Sequence, residues 1–219
     1  MQKTKTACLI GATGLIGSHI LDLLTKDSYF GEIRVIVRRP IDINHPKVKL
    51  TELDFEDLEA LEKAIAGSDA LFCAIGTTRA KTPDLNAYRK IDVDIPVNVA
   101  RIGKACGAES FQLVSSVGAN SQSRNFYLKM KGIVEDELIK TAITSTSIFR
   151  PSLLLGERKS PRPAEKIAAV LMRLLRSLIP DNQKPIEAKT VAKAMIESAK
   201  KAHPGHHITH YREMMDLSQ

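Results

Sequence analysis

Tyr127 and Lys131 stand four residues apart in FYLKMKG, and on a helix that spacing puts both on one face. A phenol with an ordinary pKa near 10 is a poor acid or base at neutral pH. An ammonium one turn away favours the phenolate and lowers that value. The pair is therefore suited to general acid–base work, with Lys131 also placed to bind the ribose hydroxyls of a nicotinamide cofactor. Ser115 and Ser116, in LVSSVGAN, offer a hydroxyl to orient a substrate carbonyl. The spacing alone equally describes a half-buried tyrosine beside a surface lysine, so the elements that surround it must decide.

The first of these is LIGATGLIGSHI, in which Gly11, Gly14 and Gly17 fall between a predicted strand and a predicted helix. Gly11 suits a tight turn, Gly14 lets backbone approach a pyrophosphate, and Gly17 lets helix pack close on strand. Thr13, Leu15 and Ile16 complete this turn, whose helix N-terminus favours an anion. The second strand ends in VIVRRP. An acid about 20 residues past the glycines would bind an NAD ribose. Arg38 and Arg39 stand there instead, and guanidinium groups hold a 2′-phosphate, which predicts NADP (NADPH). Asp54 is placed to accept from an adenine amino group, and Ala74, Ile75, Gly76 and Thr77 to border the adenosine ribose.

Short apolar runs carry these motifs. TACLI (6–10), IRVIV (33–37), VKLTEL (48–53), ALFCAI (70–75), FQLVSS (111–116) and TSIFR (146–150) read as strands. Helical patterns at 15–26, 56–66, 94–106 and 124–140 alternate with them, which predicts an α/β fold with a parallel sheet covered on both faces. Asp94 followed by Pro96 marks a helix start, and Gly107 a left-handed helix end. The core should span 1–156. Residues 157–219, with helical patterns in AEKIAAVLMRLLRSLIP and EAKTVAKAMIESAKK and a strand-like HHITHY, should form a small C-terminal helical cap completing the same domain.

The 219 residues are 43% hydrophobic with a net charge of +7, enough for a buried core. No apolar run is long enough to cross a membrane, so integral membrane association is not expected. The basic residues are scattered and no zinc-finger or RNA-binding signature occurs, so nucleic acid is not expected. Cys8, Cys73 and Cys106 lie far apart, and the start lacks a signal-peptide pattern; both point to reduced thiols in a cytoplasmic protein. His203, His206, His207 and His210 lack ligand spacing, so no metal is expected. Arg79 and Lys81, in TTRAK, hint at an anionic substrate, although a solvated loop explains them as well.

Together GATGLIG, the paired serines, YLKMK and FRPSLLLG resemble the extended and atypical branches of the short-chain dehydrogenase/reductase superfamily. More narrowly, CAIGTTRAK followed by LVSSVGANSQSRNFYLKMKGIVE looks like the Tat-interactive-protein-type NAD(P)H-binding oxidoreductases. The resemblance implies a Rossmann-type doubly wound sheet, with Tyr127 as acid–base residue, Lys131 as its partner, and Arg150, Pro151 and Ser152 beside the nicotinamide. SSVGA aligns with Ser116 as the catalytic hydroxyl, and Ser115 stays open. The expected activity is NADP-dependent hydride transfer to or from a small carbonyl or alcohol substrate. Two other readings are an NADP(H)-sensing regulator or scaffold without turnover and an NAD-retaining epimerase or dehydratase.

Overall fold

The computed structural model describes residues 4–156, 180 and 183–219. Its first strand, β1 (Lys5–Ile10), shows why a sheet buried on both faces forms. Ala7 and Leu9 join one core and Cys8 and Ile10 the other. Successive strand residues point to opposite faces, so an unbroken apolar run fits a strand covered on both sides.

Strands β2 (Phe30–Val37), β3 (Val48–Glu52), β4 (Ala70–Cys73), β5 (Ser110–Val114), β6 (Ser145–Phe149) and β9 (Gly205–Thr209) complete a seven-stranded sheet. Its order is β3-β2-β1-β4-β5-β6-β9, and every pairing is parallel. Helix α1 (Leu15–Lys26) and the helix Ala188–Lys201 cover one face. Helices α2 (Leu58–Ile65), α4 (Ile95–Ala105) and α5 (Phe126–Lys140) cover the other. Each fully buried leucine, such as Leu24 or Leu61, contributes about 1.5–3 kcal/mol. This is a Rossmann-like α/β fold. The strand order reverses between β1 and β4, which opens a crevice at their carboxyl ends, where ligands of such sheets bind.

The structure differs from the sequence reading at one helix start. The helix expected to start at Asp94 is already under way: α3 (Leu85–Arg89) runs through a π-helical segment, Lys90–Asp94, directly into α4. Pro96 sits inside this continuous helix because the turn before it is widened. The Ile95 N–H bonds to the Lys90 carbonyl, five residues back. A proline in a regular α-helix lacks an N–H and clashes with the carbonyl four residues back, and a π turn absorbs both defects.

The C-terminal segment, expected to complete the same domain as a small helical cap, packs into the core in its described part: β9 pairs with β6, and the helix Ala188–Lys201 packs on α1. Val191, Ala192, Ala194 and Met195 are fully buried there. A short second sheet pairs β7 (Leu154–Leu155) with β8 (Ile186–Glu187). The helical pattern at 164–179 lies outside the described residues.

Candidate active site

The glycine turn is built as tightly as its sequence implies. Gly11 has a φ of +88°, and a Cβ on it would lie 2.5 Å from the Ala74 backbone carbon. A Cβ on Gly17 would lie 2.0 Å from the Gly11 carbonyl oxygen, so any side chain would push α1 off the turn. Gly14 caps α1 without a side-chain bond, and the first turn carries no acid. The N–H groups that open a helix lack partners within it, and with the positive end of the helix dipole they suit a pyrophosphate. Thr13 is exposed beside the turn, Leu15 is half-buried, and Ile16 is core. Leu15 also lies against Gly156, at the end of the segment that carries Arg150, Pro151 and Ser152.

Against the glycine turn, β4 ends at Cys73 and the chain leaves the sheet as Ala74–Thr77. Lys131 reaches this segment from α5. It is only 5% exposed, and its Nζ lies 3.2 Å from Asp92 Oδ1 and 3.5 Å from the Val114 carbonyl. Asp92 is itself 1% exposed and accepts a 2.8 Å bond from the Thr77 N–H through its other oxygen. Burial works against the Lys131 ammonium, but the charges of Asp92 and Tyr127 and the bond to Asp92 outweigh it and hold its pKa above the ordinary value. A Cβ on Gly76 would come within 3.8 Å of the Lys131 Nζ, so this glycine lies directly beside the pair. Tyr127, one turn earlier on α5, is 40% exposed. An exposed phenol thus stands next to a cation whose charge is secured from beneath. Asp92 escaped the sequence reading because it lies in the unrecognised π segment.

The two serines differ. Ser115 is 3% exposed and donates to Glu135, whereas Ser116 is half-buried and makes only a long 3.4 Å contact with the Val117 carbonyl. Glu135 was also missed, although Tyr127, Lys131 and Glu135 recur every four residues along α5, a signal present in the sequence. Its carboxylate accepts from Arg150 as well, at 3.1 Å from Nε and through Nη2. The Arg150 guanidinium is thereby engaged with protein. Pro151 accepts a 3.0 Å bond from the Val117 N–H, and Ser152 donates to the Lys184 carbonyl. The first of these bonds fastens the segment to the serine loop, and the second ties it to the chain just before β8.

Arg38, Arg39 and Asp54 meet in one open depression of about 630 Å³, with Glu52 and Leu53. Among the described residues neither guanidinium has an ion-pair partner. Asp54 Oδ1 accepts a 3.0 Å bond from the Glu56 N–H, which fixes the carboxylate at the end of β3.

Comparison with known proteins agrees with this geometry. A family described as NAD(P)H-binding matches residues 11–202. The chain is 35% identical over 199 residues to Protein FMP52, mitochondrial, of Candida albicans, covering 88% of this chain and 87% of that protein. It is 31% identical over 203 residues to Protein HTATIP2 of Rattus norvegicus, covering 90% and 82%. Among solved structures, UDP-N-acetylglucosamine 4-epimerase from Methanobrevibacter ruminantium superposes with a TM-score of 0.73 at 20% identity, over 98% of this chain and 81% of that one. Uronate dehydrogenase from Agrobacterium tumefaciens gives a TM-score of 0.70 at 14% identity, over 94% and 76%. At such identities the likeness is one of fold. The fungal relatives overturn the cytoplasmic expectation, because several of them are named as mitochondrial proteins. Free, scattered cysteines argue only against an oxidising compartment and do not separate the cytoplasm from a reducing organelle interior.

Proposed function

Since the chain belongs to the NAD(P)H-binding family, we propose that it is an NADP-dependent oxidoreductase, transferring hydride to or from a small carbonyl or alcohol substrate with Tyr127 as general acid or base. The observation that carries this reading is the exposed Tyr127 phenol next to the buried Lys131–Asp92 pair, which lies beside Gly76 in the segment that also abuts the glycine turn. The N–H groups that open α1 and the close-packed glycines fit a dinucleotide pyrophosphate. Arg38 and Arg39 would hold a 2′-phosphate. When bound, the nicotinamide supplies or accepts the hydride.

The chain's own residues manage the proton. Asp92 keeps Lys131 cationic, and the Lys131 charge lowers the cost of an anionic Tyr127 oxygen. In carbonyl reduction the phenol gives its proton to the developing alkoxide, and in alcohol oxidation the phenolate takes it back. Ser116, with its hydroxyl not committed to a strong bond, would orient the substrate oxygen, while Ser115 helps to anchor Glu135.

Single-turnover oxidation of bound NADPH against a panel of aldehydes, ketones and quinones tests the reading. With an active substrate found, Tyr127→Phe should retain NADPH affinity and lose about two to four orders of magnitude in rate. A wild-type rate in that variant would sink the mechanism. A sensor that never turns over predicts no oxidation with any member of the panel.

A further inference from the structure

The TTRAK segment has no part in the reaction described above, yet it is held firmly at the mouth of the site. The Thr77 N–H is tied to Asp92, and the Thr77 and Thr82 hydroxyls bond at 2.8 Å. The Lys81 and Thr82 N–H groups both return to the Thr78 carbonyl, at 2.9 and 2.8 Å. This turn carries Arg79 over the Phe126 ring, with the guanidinium carbon 5.1 Å from its centroid. Phe126 is buttressed by Tyr88, edge-on at 5.1 Å and 72°. Phe126 immediately precedes Tyr127 in α5. Arg79 and Tyr127 both lie within electrostatic range of the Tyr88 hydroxyl, which puts the guanidinium and the exposed phenol in one neighbourhood.

Four arginines are paired, Arg34 with Glu32, Arg89 with Asp94, Arg101 with Glu137 and Arg150 with Glu135, and Arg38 and Arg39 face the open depression beside Asp54. Arg79 makes no ion pair among the described residues and is exposed. A guanidinium that stacks through its face keeps its N–H edge free, in the fork geometry that grips a carboxylate or phosphate through two parallel bonds. The cofactor has its own anion sites at the glycine turn and at Arg38 and Arg39, so the charge at position 79 is not needed for it.

We propose that Arg79 anchors an anion subsite beside Tyr127, so that the preferred substrates are small carbonyl or alcohol compounds bearing a carboxylate or phosphate. This inference rests on the oxidoreductase reading, but binding and turnover separate the two. Three probes of one shape serve: 4-carboxybenzaldehyde, 4-formylphenyl phosphate and the neutral methyl 4-formylbenzoate. Their dissociation constants would be measured by calorimetry on the NADPH-loaded wild type, Arg79→Ala and Arg79→Lys, with NADPH oxidation followed in parallel.

At least one anionic probe should bind the wild type about tenfold or more tightly than the ester, and whichever anion wins names the source. Arg79→Ala should lower the ratio of anion to ester affinity by about ten- to hundredfold, the weight of a charge-assisted bond. Arg79→Lys should restore part of that ratio, because it keeps the charge and loses the fork. The ester serves as the control for any shift of Phe126. Equal binding of all three probes, no binding of any, or an unchanged ratio in Arg79→Ala would each overturn the subsite. Anion preference without NADPH oxidation would leave the subsite standing and count against the oxidoreductase. NADPH oxidation by acid and ester alike, indifferent to position 79, would do the reverse.

Discussion

Asp92→Asn isolates the buried ion pair beneath the site. The amide keeps an acceptor for the Thr77 N–H but removes the charge that faces Lys131. Stripping one partner from a buried pair costs about 3–5 kcal/mol. The retained bond argues for the lower end, about 3 kcal/mol, or a fall in Tm of about 6–12 °C for a chain of this length. Lys131 has one escape, which is to fold without its proton. Against an unfolded pKa of about 10.4, that costs about 1.4 kcal/mol for each pH unit below it: about 4.6 kcal/mol at pH 7 and about 1.9 at pH 9. These figures cap the damage, so the deficit of the variant should narrow as pH rises.

The wild type supplies the contrast. Its Lys131 pKa lies above the ordinary value, so the pair's contribution is complete below the unfolded pKa and is lost only as pH climbs through the folded one. Both pH 7 and pH 9 lie within that window. In Asp92→Asn the folded pKa falls below the unfolded one, the unfolded chain binds more protons, and stability rises with pH. Urea unfolding of the cofactor-free protein, followed by circular dichroism at both pH values, measures the difference. The double variant with Lys131→Met should be more stable than Asp92→Asn alone, by at least about 1 kcal/mol at pH 7. A deficit under about 0.5 kcal/mol, or one of equal size at both pH values, would refute the reasoning.

Arg38→Ala should weaken NADPH by about 1.5–3 kcal/mol and spare NADH, as fluorescence titration would show; equal wild-type affinities for the two would remove the assigned role. In Gly132→Ala, a Cβ 2.0 Å from the Ser121 nitrogen and 2.2 Å from the Asn120 carbonyl carbon forces α5 off the loop that follows the serines. A stability loss of about 3 kcal/mol in urea is expected, together with reduced turnover. Burial pushes the Cys73 thiol up to about 12, leaving about one thiolate in 10,000 at pH 8. Native protein should therefore give one fast thiol to Ellman's reagent, the half-buried Cys106, and the remaining two only on unfolding.

Much of the fold was legible because its signals are local. The apolar runs of β1 and β2 have one register that buries both faces, and the glycine turn fixes the start of α1 at Leu15, where the sequence placed it. Within the candidate site, the placement of Tyr127 and Lys131 on one helix and of the serines just past a strand end was readable from spacing. Asp92 was not, since its importance comes from a contact between two helices that no local pattern encodes. Pro96 concealed it further by imitating a helix start. The role of the helix Ala188–Lys201 was also hidden: the small residues Ala188, Ala192 and Ala194 give a weak apolar signal, and only their packing on α1 reveals them as core.

The widened turn at Lys90–Asp94 acts as a phase shifter within one long helix. Tyr88 before it and Val97 after it both face the same core, and Asp92 faces Lys131 between them. Each helical residue advances about 100° around the axis. Removing one residue from the turn would thus restore a regular helix and rotate everything upstream by that amount relative to α4. Either Tyr88 would leave the Phe126 ring and Asp92 the ammonium, or α4 would turn its Val97–Val99–Ala100 face from the sheet. Pro96 would then meet the carbonyl it now avoids. Helices with one face in solvent often accept single-residue deletions by slipping. This one is indexed at both ends, so its length is set by the site it serves.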